Sequence, residues 1–184
     1  MHFNLPLLKE FDVDLKLVSF LNKKYRDYIL DNQPLWPAEN YTYMSDTGTY
    51  TSNLLTWENE EWDDFAKGKL TDIVSEQLCL EKKQFYHHYN HVFDYQGGGY
   101  VKEHWHEEAE EFTLLFYLNT CTSGQTTFYL NTWDEERRER TAISFMPTAG
   151  KALIFSGLIH HKVEECTEGK RIFAAGIRTN AFKG

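Results

Sequence analysis

Along the first third of the chain the apolar residues recur at helical spacing. Leu17, Val18, Leu21, Tyr25, Tyr28 and Ile29 form one stripe, with Asp12 or Asp14 placed to cap its start. From Asp31 to Trp57 the pattern dissolves, and Pro34 and Pro37 with scattered Asn and Gly mark a long loop. Trp62, Phe65, Leu70, Ile73, Val74 and Leu78 give a second helical stretch, with Gly68 a point of weakness. Near Lys83 the period changes from helix to strand. Phe85, His87, Tyr89, His91, Phe93 and Tyr95 alternate with smaller or polar residues. Short β-runs follow at Tyr100–Trp105, Phe112–Leu118, Thr126–Leu130, Thr141–Met146, Ala152–Phe155, His161–Val163 and Ile172–Ile177. About eight short strands with polar or Gly-bearing links predict a barrel or jelly roll rather than an α/β sheet. The expected architecture is mainly β: a barrel or jelly-roll core over residues 83–180, buttressed by the helical part of residues 1–82, all within one domain.

Composition narrows the function. The 184 residues carry a net charge of −9, which sets general nucleic-acid binding at a disadvantage. The one dense basic stretch, Glu135 to Arg140, has mixed signs and reads as a solvated turn. Three cysteines, Cys79, Cys121 and Cys166, form no CxxC pair, and an odd number argues against a disulfide framework. A reducing, cytoplasmic setting is the expectation, with no membrane association, since neither a signal peptide nor a transmembrane run is evident.

Two histidine clusters carry the candidate chemistry. His104-Trp105-His106 stands at a strand end, and residues two apart on a strand share a face, so both imidazoles can meet one metal. His160-His161 lies far away in sequence, and a closed barrel brings such positions together. A single buried His is more often a hydrogen-bonded core residue, so the surrounding motifs decide.

From Tyr95 to Ile177 the sequence resembles the prolyl-4-hydroxylase-like branch of the Fe(II)- and 2-oxoglutarate-dependent oxygenases. Tyr95-Gln-Gly-Gly-Gly-Tyr100 followed by His104 resembles the strand leading to the first metal ligand. Thr113 to Asn119 looks like the central strand, and Gly124-Gln-Thr-Thr-Phe128-Tyr129 is similar to the turn and strand that follow it. His161-Lys-Val163 with Gly169-Lys-Arg171 looks like the closing motif, in which an Arg ten residues past the distal His binds the cosubstrate. The resemblance implies that the jelly roll of residues 83–180 is a double-stranded β-helix, with Fe(II) on His104, His106 and His161. It implies Arg171 on the distal carboxylate of 2-oxoglutarate, held as a bidentate pair, with Tyr117 donating to the same carboxylate and Thr113 helping. Oxidation of a peptidyl residue, amino acid or small molecule by O2, with release of succinate and CO2, is the activity implied.

The chain departs from the family at one point. The family uses two His and one carboxylate, and His106 stands where the carboxylate is expected. Three arrangements stay open: a three-His centre, a two-residue slip that makes His106 and Glu108 the pair, or a lost site. His160 is left to face outward or to cap the rim. The acidic run Glu107 to Glu111 reads as a solvated loop or a cation-binding feature. Trp36, Tyr41, Tyr43 and Tyr50 on the long loop could cover the pocket, and Arg178 is expected to point to solvent. Two rivals remain. A cupin would take Gly98, His104, His106, Glu110 or Glu111 and His161 as its motif and need no 2-oxoglutarate. A binding module would keep its histidines as core.

Overall fold

A computed structural model describes residues 7–32, 53–56, 66–95, 98–106, 111–130 and 140–179. The expectations placed on Pro34, Trp36, Pro37, Tyr41, Tyr43, Tyr50, Trp62, Phe65, Glu107, Glu108, Glu110 and residues 135–139 lie outside them, as do the side chains of Tyr28, Ile29 and Glu111.

The chain runs β1 (Leu8–Asp12), α1 (Leu15–Asn32), β2 (Asn53–Thr56), a π-helical turn (Ala66–Leu70), α2 (Thr71–Leu78) and a 3-10 turn (Lys82–Gln84). Then come β3 (Phe85–Tyr95), β4 (Gly99–His104), β5 (Glu111–Tyr117), β6 (Thr126–Tyr129), β7 (Ala142–Phe145), β8 (Lys151–Ser156), β9 (His160–Cys166) and β10 (Lys170–Thr179). Asp14 starts α1 by accepting a hydrogen bond from the Lys16 amide at 2.8 Å, which meets one of the helix's orphan donors. The eight predicted strands are all present, within one or two residues at most ends. Two strands were not expected. β1 carries Lys9, Glu10 and Asp12 on an edge, where charge suits an unpaired side. β2 falls in the stretch read as loop.

The strands form two antiparallel sheets, a jelly roll of order β1-β8-β5-β10-β3-β2 facing one of order β4-β9-β6-β7. Alternation along each strand sorts the apolar residues into two cores. Leu114, Phe116, Ala152, Ile154, Phe173, Ala175 and Ile177 point from the larger sheet onto Leu17, Val18, Leu21 and Tyr25 of α1 and Val74 of α2. Leu115, Tyr117, Leu153, Phe155 and Ile172 point the other way, onto Phe128 and Val163 of the smaller sheet. The predicted buttressing is therefore what the helices do. β10 lies between β5 and β3, buried on both faces, which explains its near-continuous apolar run. No helix among the described residues is long and apolar enough to cross a membrane.

Candidate metal centre and its cavity

His104 ends β4 directly opposite His161 on β9. His106 lies just past β4, yet its amide donates to the Gly157 carbonyl at 2.7 Å, which fixes it to the turn between β8 and β9. The three imidazoles converge: one ligand atom from each lies within 4.8 Å of the others. Ring centres are 4.2 Å apart for His104 and His161, 5.3 Å for His106 and His161, and 5.7 Å for His104 and His106.

Each ring is oriented through Nδ1. His104 Nδ1 lies 2.9 Å from the Lys102 carbonyl, and His161 Nδ1 lies 2.8 Å from the Ile159 carbonyl. Both carbonyls are acceptors, so both Nδ1 atoms carry the proton and both Nε2 lone pairs are left for a cation. His106 Nδ1 is 3.4 Å from the Thr113 hydroxyl, which can play the same part. Burial lowers the pKa of His104, and it holds that of His161 well below its ordinary value. His161 sits against Phe155 and Phe128, at ring distances of 4.8 and 5.7 Å. Neutral, pre-oriented imidazoles are the form that binds a metal, so the donor set fits a divalent transition ion. Glu108, the alternative ligand, lies outside the described residues.

The triad opens into a cavity of about 430 Å³ between the sheets, a volume ordinary for a small-ligand site. Tyr95, Phe93, Val101, Leu115, Phe155, Val163 and Ile172 line its waist. Away from the histidines the barrel is closed by Tyr117, whose hydroxyl donates to Thr126 Oγ1 at 2.8 Å. Burial raises the Tyr117 pKa, so this hydroxyl keeps its proton.

Arg171 is a correction. Its side chain does not enter the cavity. It shares the face of Phe173 and Ala175 and turns toward α1. There Nη1 donates to Asn22 Oδ1 at 2.9 Å, Nη2 meets Asp94 Oδ2 at 3.3 Å, and the guanidinium lies 4.4 Å from the Tyr25 ring centre. Tyr25 completes the cluster by donating to the same Asp94 oxygen at 2.6 Å. The physical reason is strand parity. Ile172 and Ala174 face the cavity, so the neighbour that shares their side is Lys170.

Lys170 was missed by the sequence reading. It is completely buried, with Nζ donating to the Gly124 carbonyl at 2.8 Å and lying 4.7 Å over the Tyr95 ring. Burial lowers its pKa to about 7. Among the described residues no carboxylate pairs with it. A buried ammonium without a counter-ion is costly, and an anionic ligand group would relieve that cost. Thr113 is a second adjustment: it contacts His106 at the metal end, away from the closed end where it was expected to help. His160 faces outward, as one of the two placements allowed for it.

No protein-family model matches the chain, and no curated protein sequence does. Solved structures do match. A Pseudomonas putida prolyl-4-hydroxylase aligns with a TM-score of 0.64 at 17% identity, covering 94% of this chain and 92% of its own. The 2-oxoglutarate-dependent epimerase SnoN of nogalamycin biosynthesis aligns at 0.71 with 9% identity, covering 96% and 80%. A Trichoplax adhaerens prolyl hydroxylase in complex with a hypoxia-inducible-factor peptide aligns at 0.66 with 15% identity, covering 99% and 88%.

Proposed function

With the prolyl-hydroxylase-like 2-oxoglutarate oxygenase fold as premise, we propose that the chain is an Fe(II)- and 2-oxoglutarate-dependent oxygenase that hydroxylates an amino acid, peptidyl residue or small molecule. One observation carries the reading: three pre-oriented imidazoles and a buried, unpaired lysine occupy opposite ends of one barrel interior. His104, His106 and His161 would hold the iron. Lys170, rather than Arg171, would hold the far carboxylate of 2-oxoglutarate, with the hydroxyls of Tyr117 and Thr126 beside it. When bound, iron with 2-oxoglutarate and O2 supplies the oxidising power for C–H hydroxylation and yields succinate and CO2.

The chain's own residues then have definable tasks. The ammonium of Lys170 and the donors around it fix the cosubstrate's length along the barrel axis. Phe93, Leu115, Val163 and Ile172 exclude water along its carbon chain. The Nδ1 hydrogen bonds hold the imidazoles against rotation, so no rearrangement is needed as ligands exchange.

The test is anaerobic titration of the Fe(II) protein with 2-oxoglutarate. A weak visible band from the chelated keto acid is expected in wild type and in Arg171→Met, and is expected to be lost in Lys170→Met. Iron bound without any such band sinks the oxygenase reading and leaves a cupin-type metal protein, for which 2-oxoglutarate is not a ligand.

A further inference from the structure

The facing of Lys170 is decided where β10 begins. β9 ends at Cys166, and Gly169 leads into β10 with φ +83°, a conformation that favours glycine. On one side the new strand has a full backbone partner, with Lys170 opposite Tyr95 and Arg171 opposite Asp94 of β3. On the other side β5 runs out, its last rung being Tyr117 opposite Ile172. The Leu118 amide still donates to the Arg171 carbonyl at 2.9 Å. At Asn119 the chain bends, and its side chain takes the place of the missing strand. Asn119 Oδ1 accepts from the Arg171 amide at 2.6 Å, and Asn119 Nδ2 donates to the Gly169 carbonyl at 3.0 Å. The carboxamide therefore brackets Lys170, holding one backbone group on either side of it. Cys121 adds a weaker bond, its thiol donating to the same Gly169 carbonyl at 3.2 Å.

We propose that Asn119 is a positioning residue for the cosubstrate anchor: by completing the β10 ladder at Gly169 and Arg171, it keeps the Lys170 ammonium inside the barrel. The link to the cosubstrate rests on the oxygenase reading, while the placement of Lys170 does not. A holding device is needed because a buried ammonium loses its hydration. Lys170 is also the first residue of its strand, where fraying lets a long side chain swing to water. The two carboxamide bonds oppose that fraying. Each is worth about fivefold in the balance of placed over frayed states, and together they weigh about 25-fold. Alternation does the rest: with Lys170 held inward, Arg171 falls on the face of Asn22 and Asp94. The groups that face Lys170 are the Tyr95 ring of β3, the Gly124 carbonyl before β6, the Cys166 thiol at the end of β9 and the Cys121 thiol after β5.

The experiment follows the Lys170 ammonium itself, by heteronuclear NMR titration of the full chain labelled at lysine Cε, with Lys170→Met assigning the signal. Metal and cosubstrate are left out. In wild type this lysine is expected to titrate at about pH 7. In Asn119→Ala it should titrate about one pH unit higher, because a 25-fold loss of placement corresponds to at most about 1.4 pH units. Arg171→Met is the control for general destabilisation, since it removes a neighbouring ion pair and leaves the bracket in place; its Lys170 signal should match wild type. Circular dichroism melts check that the variants fold. Should Asn119→Ala fail to fold, Asn119→Gln, whose carboxamide sits one methylene further out, carries the same test with the same sign. A Lys170 signal unmoved in the folded Asn119 variant, or moved as far in Arg171→Met, overturns the proposal. A second arm adds Fe(II) and 2-oxoglutarate, and Asn119→Ala should bind the cosubstrate about 10- to 25-fold more weakly. An unchanged affinity there, with the lysine shifted, overturns the link to the cosubstrate. If wild type binds no 2-oxoglutarate, the oxygenase reading alone fails, because the lysine titration does not depend on it.

Discussion

The Trp105 indole lies parallel to the His160 imidazole, with ring centres 4.5 Å apart and planes inclined by 12°. Trp105 sits between two members of the triad in sequence, and His160 immediately precedes the third. Alternation therefore sends these two residues out of the barrel where their neighbours converge inside it. Glu103 extends the outer layer: it meets His160 Nδ1 at 2.9 Å and takes both Arg140 Nη atoms at 2.6 and 2.8 Å. Arg140 in turn lies 4.1 Å over the Tyr129 ring. The layer ties β4 to β9 from the solvent side, at the point where their register is irregular. Trp105→Ala is expected to weaken metal binding about tenfold, the low end of what supporting residues contribute. Trp105→Phe should restore most of it. A chelator-competition titration with Co(II) reads both, and an unchanged affinity in Trp105→Ala would remove the bracing role.

Lys170 and Arg171 should separate cleanly under mutation. Lys170→Met is expected to weaken 2-oxoglutarate binding by about 10- to 100-fold, the loss of a charge-assisted hydrogen bond. Its stability should hold or rise, because a buried ammonium is replaced by an apolar chain of similar length. Arg171→Met should leave cosubstrate affinity nearly intact and cost about 2–4 kcal/mol of stability, since Asp94 would keep the Tyr25 hydroxyl but lose its cationic partner in a partly buried cluster. Denaturant melts and the charge-transfer titration together decide this. The opposite pattern would restore Arg171 as the anchor.

The lowered pKa of Lys170 gives a signed pH dependence. Its folded value of about 7 lies below the ordinary 10.5. Between these values the unfolded chain holds more protons than the folded one. Stability of the ligand-free protein from this group therefore rises as pH increases from about 7 to 10.5. Affinity for a dicarboxylate runs the other way, because it needs the protonated lysine, and falls as pH climbs above about 7. Isothermal titration across pH 6–9 tests the affinity limb, and Lys170→Met should flatten it.

Acid should act through the buried imidazoles. Burial lowers the pKa of His87 and His91 to about 4 and depresses those of His104 and His161. Between about pH 6.5 and 4 the unfolded state again holds more protons, so stability is lost as pH falls through that window. Metal loading should stabilise the protein most near neutral pH and progressively less toward acid, because protons and metal compete for the same Nε2 atoms. Melting temperatures of apo and metal-loaded protein at pH 4.5, 5.5 and 7 give the comparison. A metal effect that grows toward low pH would contradict the shared donor atoms.

The legible parts of the chain were those whose two faces differ in chemistry. β3 reads as a strand because its rings alternate with smaller or polar residues, and the His104-x-His106 spacing, with His161 taken from the family resemblance, named a cluster that the fold assembles. β10 is the opposite case. Ile172 to Ile177 is apolar on both faces, since helices cover one side and the barrel interior the other. Nothing in the run says which of Lys170 and Arg171 points inward, and counting from His161 led to Arg171, whose side chain turns to Asn22 and Asp94 instead. β1 was invisible because its edge position carries charges that look like loop. The pairing of Trp105 with His160 could not be read either, because it depends on β4 and β9 lying side by side. The closeness of Tyr89 to Gly176, where a Cβ would fall 2.2 Å from the ring, depends in the same way on the register of β3 and β10.

The facing of His104 and His161 also bears on how the smaller sheet stays closed. β4 and β9 are joined through Gly99–Cys166, Val101–Val163 and His104–His161 pairs, with irregularities between them, and 56 residues of chain separate the last two histidines. A cation on the triad would be a non-covalent rivet across that long loop, fastening the least regular seam of the barrel. At a thousandfold excess over its dissociation constant, such a ligand would add about 4 kcal/mol to folding. The centre would then set the mechanical integrity of the fold as well as its chemistry, and removal of the cation would be felt first as loosening of one edge of the molecule.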